Sequence, residues 1–292
     1  MSILLTVYLF VLGLILGSFI NAWVWRLRQL LNDDGDPKKL SATKRKELSI
    51  LHGRSMCPSC KHALAAKDLV PVFSWLLLKG KCRYCHAPIS AQYPLVELIT
   101  AVVFALSYIF WPISTAQYGW VLLAGWLVTL VFLLVLAIYD AKWYILPSKL
   151  IYLGIITYGA SLLFYAVLSG VTSTLVNAIA AGVLYLAGFF ALFYVSYIVQ
   201  QHKTGAKAWL GFGDVRLAFL LGLIAGSPLN VFIAVFLASL VGLAVAIPGI
   251  VSKKLSVTSH IPFGPFLILG ASLALFFGDS LSSWYSTVLL GL

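Results

Sequence analysis

Runs of about twenty residues with few or no charges recur along this chain, at roughly 3 to 25, 94 to 112, 119 to 139, 149 to 168, 172 to 199, 214 to 227, 229 to 250 and 262 to 277. About 20 mostly apolar residues are what an α-helix needs to cross bilayer hydrocarbon. Backbone groups in lipid must bond within their own segment, so such a run folds as a helix. The fold class expected is therefore all-α and polytopic, with about eight transmembrane helices. A chain that is 61% hydrophobic and 10% charged does not have the composition of a water-soluble domain. The first run begins almost at Met1, without a basic segment before it or a small-residue cleavage site after it, and is read as a retained helix instead of a signal peptide.

Basic residues set the orientation, because cytoplasmic connections are enriched in Lys and Arg. All 20 lie in or beside residues 26 to 93, 140 to 149, 200 to 216 and 251 to 261, which are alternate connections. The opposite connections, near 113 to 118, 169 to 173 and 226 to 229, and the tail after 278, hold none. The N-terminus is thus expected outside and the long loop in the cytoplasm. The net charge of +11 follows from this topology and from attraction to anionic membrane lipid, so no nucleic-acid partner is expected.

Three segments follow: a first helix at 1–25, a cytoplasmic loop at 26–93, and a membrane-embedded remainder at 94–292. The loop holds all four cysteines, in "CPSC" (Cys57, Cys60) and "CRYC" (Cys82, Cys85). Two C-x-x-C knuckles at this separation come close to a zinc ribbon, and four thiolates so paired can close a tetrahedron around Zn²⁺. Two disulfides are the competing reading, but they are rare in a reducing compartment. A segment this short builds little core and gains from a metal staple. His62 and His86 adjoin the knuckles as substitute ligands or, more simply, surface histidines. The preceding "LNDDGDPKKLSATKRKEL" is mixed in charge and poor in apolar residues, and is expected to be a solvated, flexible insert.

After Glu97 only three acids remain: Asp140, Asp214 and Asp279. An aspartate within a span costs about 2.5 to 3.5 kcal/mol on insertion scales, so one retained there usually has work to do. Asp140 ends the third run, Asp214 begins the sixth, and two spans between them bring both to the cytoplasmic face. Asp279 falls on the opposite face, where a capping or loop role suffices. Two close carboxylates do not both ionise readily; one keeps its proton while the other is charged. Such a pair can activate water as general base and protonate a leaving group. Gly211 and Gly213 flank Phe212 just before Asp214, where they would permit a tight turn and close approach of an extended substrate backbone. On charges alone, a proton-coupled transporter and an ordinary interfacial Asp–Arg216 arrangement stay open beside a catalytic pair.

Five blocks then narrow the choice: "GLILGSFINAWVWRLR" (13–28), the paired-cysteine stretch ending in "YPLVELITA" (55–101), "YDAKWYILPSKL" (139–150), "GFGDVRLA" (211–218) and "IPFGPFLILG" (261–270). In this order they resemble the type IV prepilin peptidases, membrane aspartic proteases of the wider G-x-G-D group. The resemblance implies that Asp140 and Asp214 are catalytic, within a peptidase domain spanning 94–292 of a multi-pass protein in the bacterial cytoplasmic membrane. It implies prepilins or pseudopilins as substrates, cut between a basic leader and the apolar helix that follows. In many members the new N-terminal amine is then methylated from S-adenosylmethionine, which the resemblance places near "LLLKGKC" and Gly80. One departure stands out: the family commonly carries Leu-Pro-Asp after the first aspartate, whereas this chain has Leu146, Pro147 and Ser148.

Overall fold

The computed structural model describes residues 2–32, 35–50, 52–203, 211–252 and 261–289. Lys207, Lys253 and Lys254 of the basic connections, and Asp33 and Asp34 of the insert, lie outside the described residues. Among the described residues the architecture is helical, with isolated bridges and no strands. Among the described residues, seven helices are long and apolar enough to cross a membrane. The chain divides into two compact units, Met1–Trp111 and Pro112–Leu292.

In the first unit α1 (Ile3–Leu30) lies antiparallel to α4 (Gln92–Ile109). Gly13 and Gly17 make the contact possible. A Cβ on Gly13 would stand 2.6 Å from Ala101 Cα, and one on Gly17 2.6 Å from Glu97 Cα. Small residues four apart let two backbones touch, which is how helices adhere where no hydrophobic effect separates them from lipid. Ser2 caps α1, and Asn21 donates to the Tyr93 carbonyl at 3.0 Å. Just past the apolar stretch, Arg26 is buried and donates to the carbonyls of Ser49 (3.0 Å) and Gly53 (2.9 Å), tying the loop to the end of α1.

That loop carries two short helices, α2 (Ala42–Glu47) and α3 (Phe73–Leu77), and one turn of 3-10 helix at Ala66–Asp68. Within the charged insert, expected to lack structure, Ser41 caps α2 and Leu48 is buried behind it. The side-chain cap and one apolar anchor suffice for that single local helix.

The second unit is a bundle of α5 (Trp120–Trp143), α6 (Ser148–Ser169), α7 (Thr172–Lys203), α8 (Phe212–Ala225), α9 (Pro228–Val251) and α10 (Gly264–Leu289). Its centre is α8, which touches α6, α7, α9 and α10. From Val215 to Ala225 nearly every residue of α8 is buried. A helix apolar all round belongs in the middle of a bundle, and glycine lets α7 approach: a Cβ on Gly222 would stand 2.6 Å from the Ala181 carbonyl. At 14 residues, α8 rises about 21 Å, short of the ~30 Å of bilayer hydrocarbon. The seven longer helices and this short one make the eight apolar elements read from the sequence.

Asp279 lies in α10 and accepts from Asn230 Nδ2 at 3.1 Å; the same amide donates to the Ala225 carbonyl at 3.1 Å. This joins the C-terminal end of α8, the start of α9 and α10 at the end of the bundle away from Asp214. Expected in a loop or cap past the last span, Asp279 instead lies within α10, where Asn230 is its partner.

Candidate active site and metal centre

Asp140 occupies the last turn of α5 and is buried. The helix stops four residues later because Tyr144 takes a left-handed conformation (φ 57°), its N–H bonding the Asp140 carbonyl at 2.8 Å. Pro147 then precedes α6, since a prolyl ring cannot continue α5 yet suits a helix start. Asp214 stands in the first turn of α8 behind Gly211, whose extended backbone (ψ 143°) begins that helix. Asp214 is half-buried and Gly211 exposed, so the site opens on the α8 side.

The two carboxylates come near enough for their charges to repel each other. Packing around Leu146 holds them together. A Cβ on Gly213 would stand 3.0 Å from Leu146 Cβ, and one on Gly211 3.3 Å from Asp214 Oδ2. Neither glycine has positive φ; Gly213 contributes a missing side chain where α8 meets the α5–α6 connection, and Gly211 one beside the Asp214 carboxylate.

A third element completes the site. The backbone N–H of Gly264, the first residue of α10, donates to Asp140 Oδ2 at 3.0 Å. A Cβ at that position would stand 2.7 Å from the same oxygen. Only glycine lets the amide come this close. Sequence reading had noted "IPFGPF" as part of a likeness without a role for Gly264; the available signal was a glycine between two phenylalanine–proline edges, at a helix start.

Arg216 and Ser148 explain each other. The guanidinium donates to Ser148 Oγ and lies over the Phe212 ring, 4.7 Å from its centroid. Ser148 is the first residue of α6, so the contact fastens the N-terminus of α6 to that of α8. Where the chain departs from Leu-Pro-Asp, a neutral hydroxyl accepts from the same kind of partner that a carboxylate would pair with.

In the first unit the four cysteines converge, all sulfur atoms within 4.8 Å of one another, with Cys57 Sγ and Cys85 Sγ 3.9 Å apart. A tetrahedral Zn–S₄ site with 2.3 Å bonds has sulfurs about 3.8 Å apart. The two knuckles repeat one geometry. The N–H of Cys57 bonds the His62 carbonyl (3.0 Å), that of Cys82 bonds the Ala87 carbonyl (2.9 Å), and Lys61 and His86 take matching positive φ of 60° and 57°. Against burial, which opposes ionisation, the amides of Cys60 and Ser59 pull the Cys57 thiol down to about 7. Although the Ala87 amide favours its thiolate, desolvation and the neighbouring thiols push Cys85 up to about 11. Thiols crowded this way resist joint ionisation unless a cation is shared among them. Among the described residues the metal-capable group is cysteine only; the His62 ring instead packs on Tyr84, centroids 3.7 Å apart. The cluster is compatible with a metal site.

Beside it Asp68 receives Arg83 Nε at 2.6 Å and the Tyr84 hydroxyl at 3.0 Å. Burial works the other way, but these bonds hold the Asp68 carboxyl below its ordinary value. Gly80, the residue the resemblance associates with methyl transfer, has φ +68°, and a Cβ there would stand 3.0 Å from the Trp75 ring. One buried acid went unassigned in the sequence reading: Glu97, on α4, accepts from the Val72 N–H at 2.7 Å.

Residues 11–111 match the family described as Bacterial Peptidase A24 N-terminal domain, and residues 127–247 the Type IV leader peptidase family. The chain is 35% identical to a Prepilin leader peptidase/N-methyltransferase of Pectobacterium carotovorum over 89% of its own length and 88% of that protein. It is 34% identical to one of Aeromonas hydrophila, over 95% and 92% respectively. It is also 34% identical, over 88% of each, to the Type 4 prepilin-like proteins leader peptide-processing enzyme of Escherichia coli. No solved structure matches it significantly. The two matched regions, a relative of 35% identity along most of both chains and the helical bundle that carries the aspartates together place this chain in the type IV leader peptidase family.

Proposed function

We propose that this protein is a membrane aspartic endopeptidase that removes the basic leader of prepilins or pseudopilins and then N-methylates the new terminus. The observation that carries the peptidase half is the meeting of Asp140 and Asp214 at one end of the second unit. One carboxylate is ionised and takes a proton from water; the other, protonated, donates to the scissile carbonyl. Water oxygen bonds the carbonyl carbon, the tetrahedral species collapses, and the departing amine leaves with a proton. The Gly264 amide holds Asp140 in orientation throughout, while the open Gly211–Phe212 edge admits an extended segment.

The names of the relatives support the substrate and the second activity. The basic-residue pattern supports a cytoplasmic site in the bacterial inner membrane, with the N-terminus outside. A substrate anchored by its own apolar helix would present its leader junction there. The four-thiol geometry supports Zn²⁺ held by Cys57, Cys60, Cys82 and Cys85, where it would staple the loop. Asp140→Asn and Asp214→Asn are each expected to lower cleavage of a purified prepilin by at least 1000-fold while membrane insertion persists. A double variant that still cuts at the leader junction would overturn the peptidase reading.

A further inference from the structure

The loop between α1 and α4 carries an apolar face turned outward. Phe73 is 61% exposed, Leu76 57% and Leu77 81%, and Leu69 and Val70 just before them are exposed as well. Positions 73, 76 and 77 share one side of α3. The other side is occupied: Ser74, Trp75 and Leu78 line a cavity of about 330 Å³ that Glu97 also walls, and Trp75 Nε1–H donates to the Ile89 carbonyl at 3.0 Å. Among the described residues, then, α3 is apolar all round but covered on one side only. A helix of that composition belongs in apolar surroundings, and a contiguous exposed apolar patch marks an interaction surface.

Glu97 fixes the depth of this segment. The 18 residues of α4 rise about 27 Å, so nearly all of them are needed to cross the ~30 Å of bilayer hydrocarbon. Glu97 is the sixth residue of that helix, about 7.5 Å in from its start. Its carboxylate accepts from the Val72 N–H at 2.7 Å, which draws the residue before α3 to within a side chain's reach of that level. An acid inside an apolar run is costly and calls for a partner; here it holds a backbone amide. Val72 takes φ +61° at this point, a conformation a β-branched residue seldom adopts. Backbone groups at such depth must be satisfied within the protein. The N–H groups of Ser74, Leu76, Leu78 and Gly80 bond the carbonyls of Val70, Val72, Ser74 and Trp75 at 2.9–3.0 Å.

Charge around the patch has one sign. Between Lys61 and Tyr93 stand five bases, Lys61, Lys67, Lys79, Lys81 and Arg83, and one acid, Asp68. Asp68 is already taken by Arg83 Nε at 2.6 Å and the Tyr84 hydroxyl at 3.0 Å. Lys67 and Lys79, both exposed, bracket the apolar residues in the chain.

We propose that Leu69–Leu77 is a membrane-surface anchor: Phe73, Leu76 and Leu77 enter the acyl region of the leaflet where α4 begins, and Lys67, Lys79 and Lys81 meet anionic lipid phosphates. Apolar side chains beside lysines are the pattern of a segment lying in the bilayer interface. Lysine stems reach from that level to the headgroups, and each base near an anionic surface is attracted to it. The cysteine loop is thereby held to the membrane at a third place, besides the ends of α1 and α4.

Phospholipid with a photoreactive diazirine in its acyl chain, incorporated into phosphatidylglycerol nanodiscs holding the full-length protein, tests this directly. After illumination the peptide Asp68–Lys79 is expected to carry lipid label at a yield within 3-fold of the α1 and α4 peptides, and peptides from α2 at least 10-fold less. Replacing Phe73, Leu76 and Leu77 together by serine should lower label in that peptide at least 5-fold while α4 stays labelled. In the parent, exchanging phosphatidylglycerol for phosphatidylcholine should speed trypsin cutting at Lys79 and Lys81, relative to cutting in α2, at least 3-fold. An unlabelled Asp68–Lys79 beside labelled α1 and α4 overturns the anchor, as does equal labelling of parent and triple variant. Crosslinks from this peptide to a second copy or to added prepilin, in place of lipid, give the face to protein and overturn it too. Equal trypsin rates in the two lipids refute the contact with anionic phosphate.

Discussion

A single hydrogen ties the site together: the Gly264 amide proton between α10 and Asp140. Gly264→Ala would place a methyl group 2.7 Å from Asp140 Oδ2, and real Cβ atoms do not approach so closely. Either the carboxylate rotates or α10 retreats, and each breaks the bond. Cleavage is expected to fall at least 10-fold with insertion intact, as measured by the initial rate on purified prepilin. Ser148 offers the complementary case. Ser148→Ala removes an acceptor from Arg216, a loss of roughly 1.5–3 kcal/mol for a bond to a charged group, visible as a lower melting temperature in detergent. Ser148→Asp should restore or exceed the parent's thermal stability, because the guanidinium already points there. If Ser148→Asp destabilises as much as Ser148→Ala, the contact with Arg216 does not fasten α6 to α8.

Among the elements, α1 and α4 meet through bare backbone, and the cysteine loop through a metal-sized cluster. Gly17→Leu would drive a side chain into Glu97 Cα at a cost of about 1–3 kcal/mol or more, and loss of the α1–α4 contact is expected to show as faster proteolysis within 31–91. Chelation at mildly acid pH should do the same, since thiolates must be free of protons to hold a cation. Trypsin cutting near Lys61, Lys67, Lys79 and Lys81 reports it. Asp68 contributes separately. Its carboxyl is lower in the folded loop than in the unfolded chain, so the stability it adds is complete above the unfolded value of about 3.9 and is lost as pH falls through the folded value below that. Asp68→Asn should therefore lower the denaturant concentration at which the loop unfolds at pH 7, and the difference from the parent should shrink as pH falls below about 3.9.

For the molecule as a whole, the proposed orientation rests on charge placement. A cysteine introduced at Ser114, in a connection without basic residues, is expected to react in intact cells with a membrane-impermeant maleimide, and one at Ser41 only after lysis. Reversed labelling would put the aspartates on the wrong side for a leader junction held in the cytoplasm.

Much of this could be read directly along the chain, because its signals are local. A bilayer demands apolar length, so the helices announce themselves; the C-x-x-C pairs lie within single turns; and the rarity of acids after Glu97 singled out Asp140 and Asp214. What stayed hidden depends on separations through space. No pattern relates Gly264 to Asp140 across 124 positions or Arg216 to Ser148 across 68, and Arg216 had no interpretable partner until α6 and α8 were side by side. Glu97, inside the second apolar run, had no role until packing placed it in a cavity wall. Hydrophobic length and ligand spacing are properties of consecutive residues, whereas the second group of contacts exists only after helices distant in the chain have packed, and that packing is set by glycines whose purpose is legible only from what would collide with a side chain there.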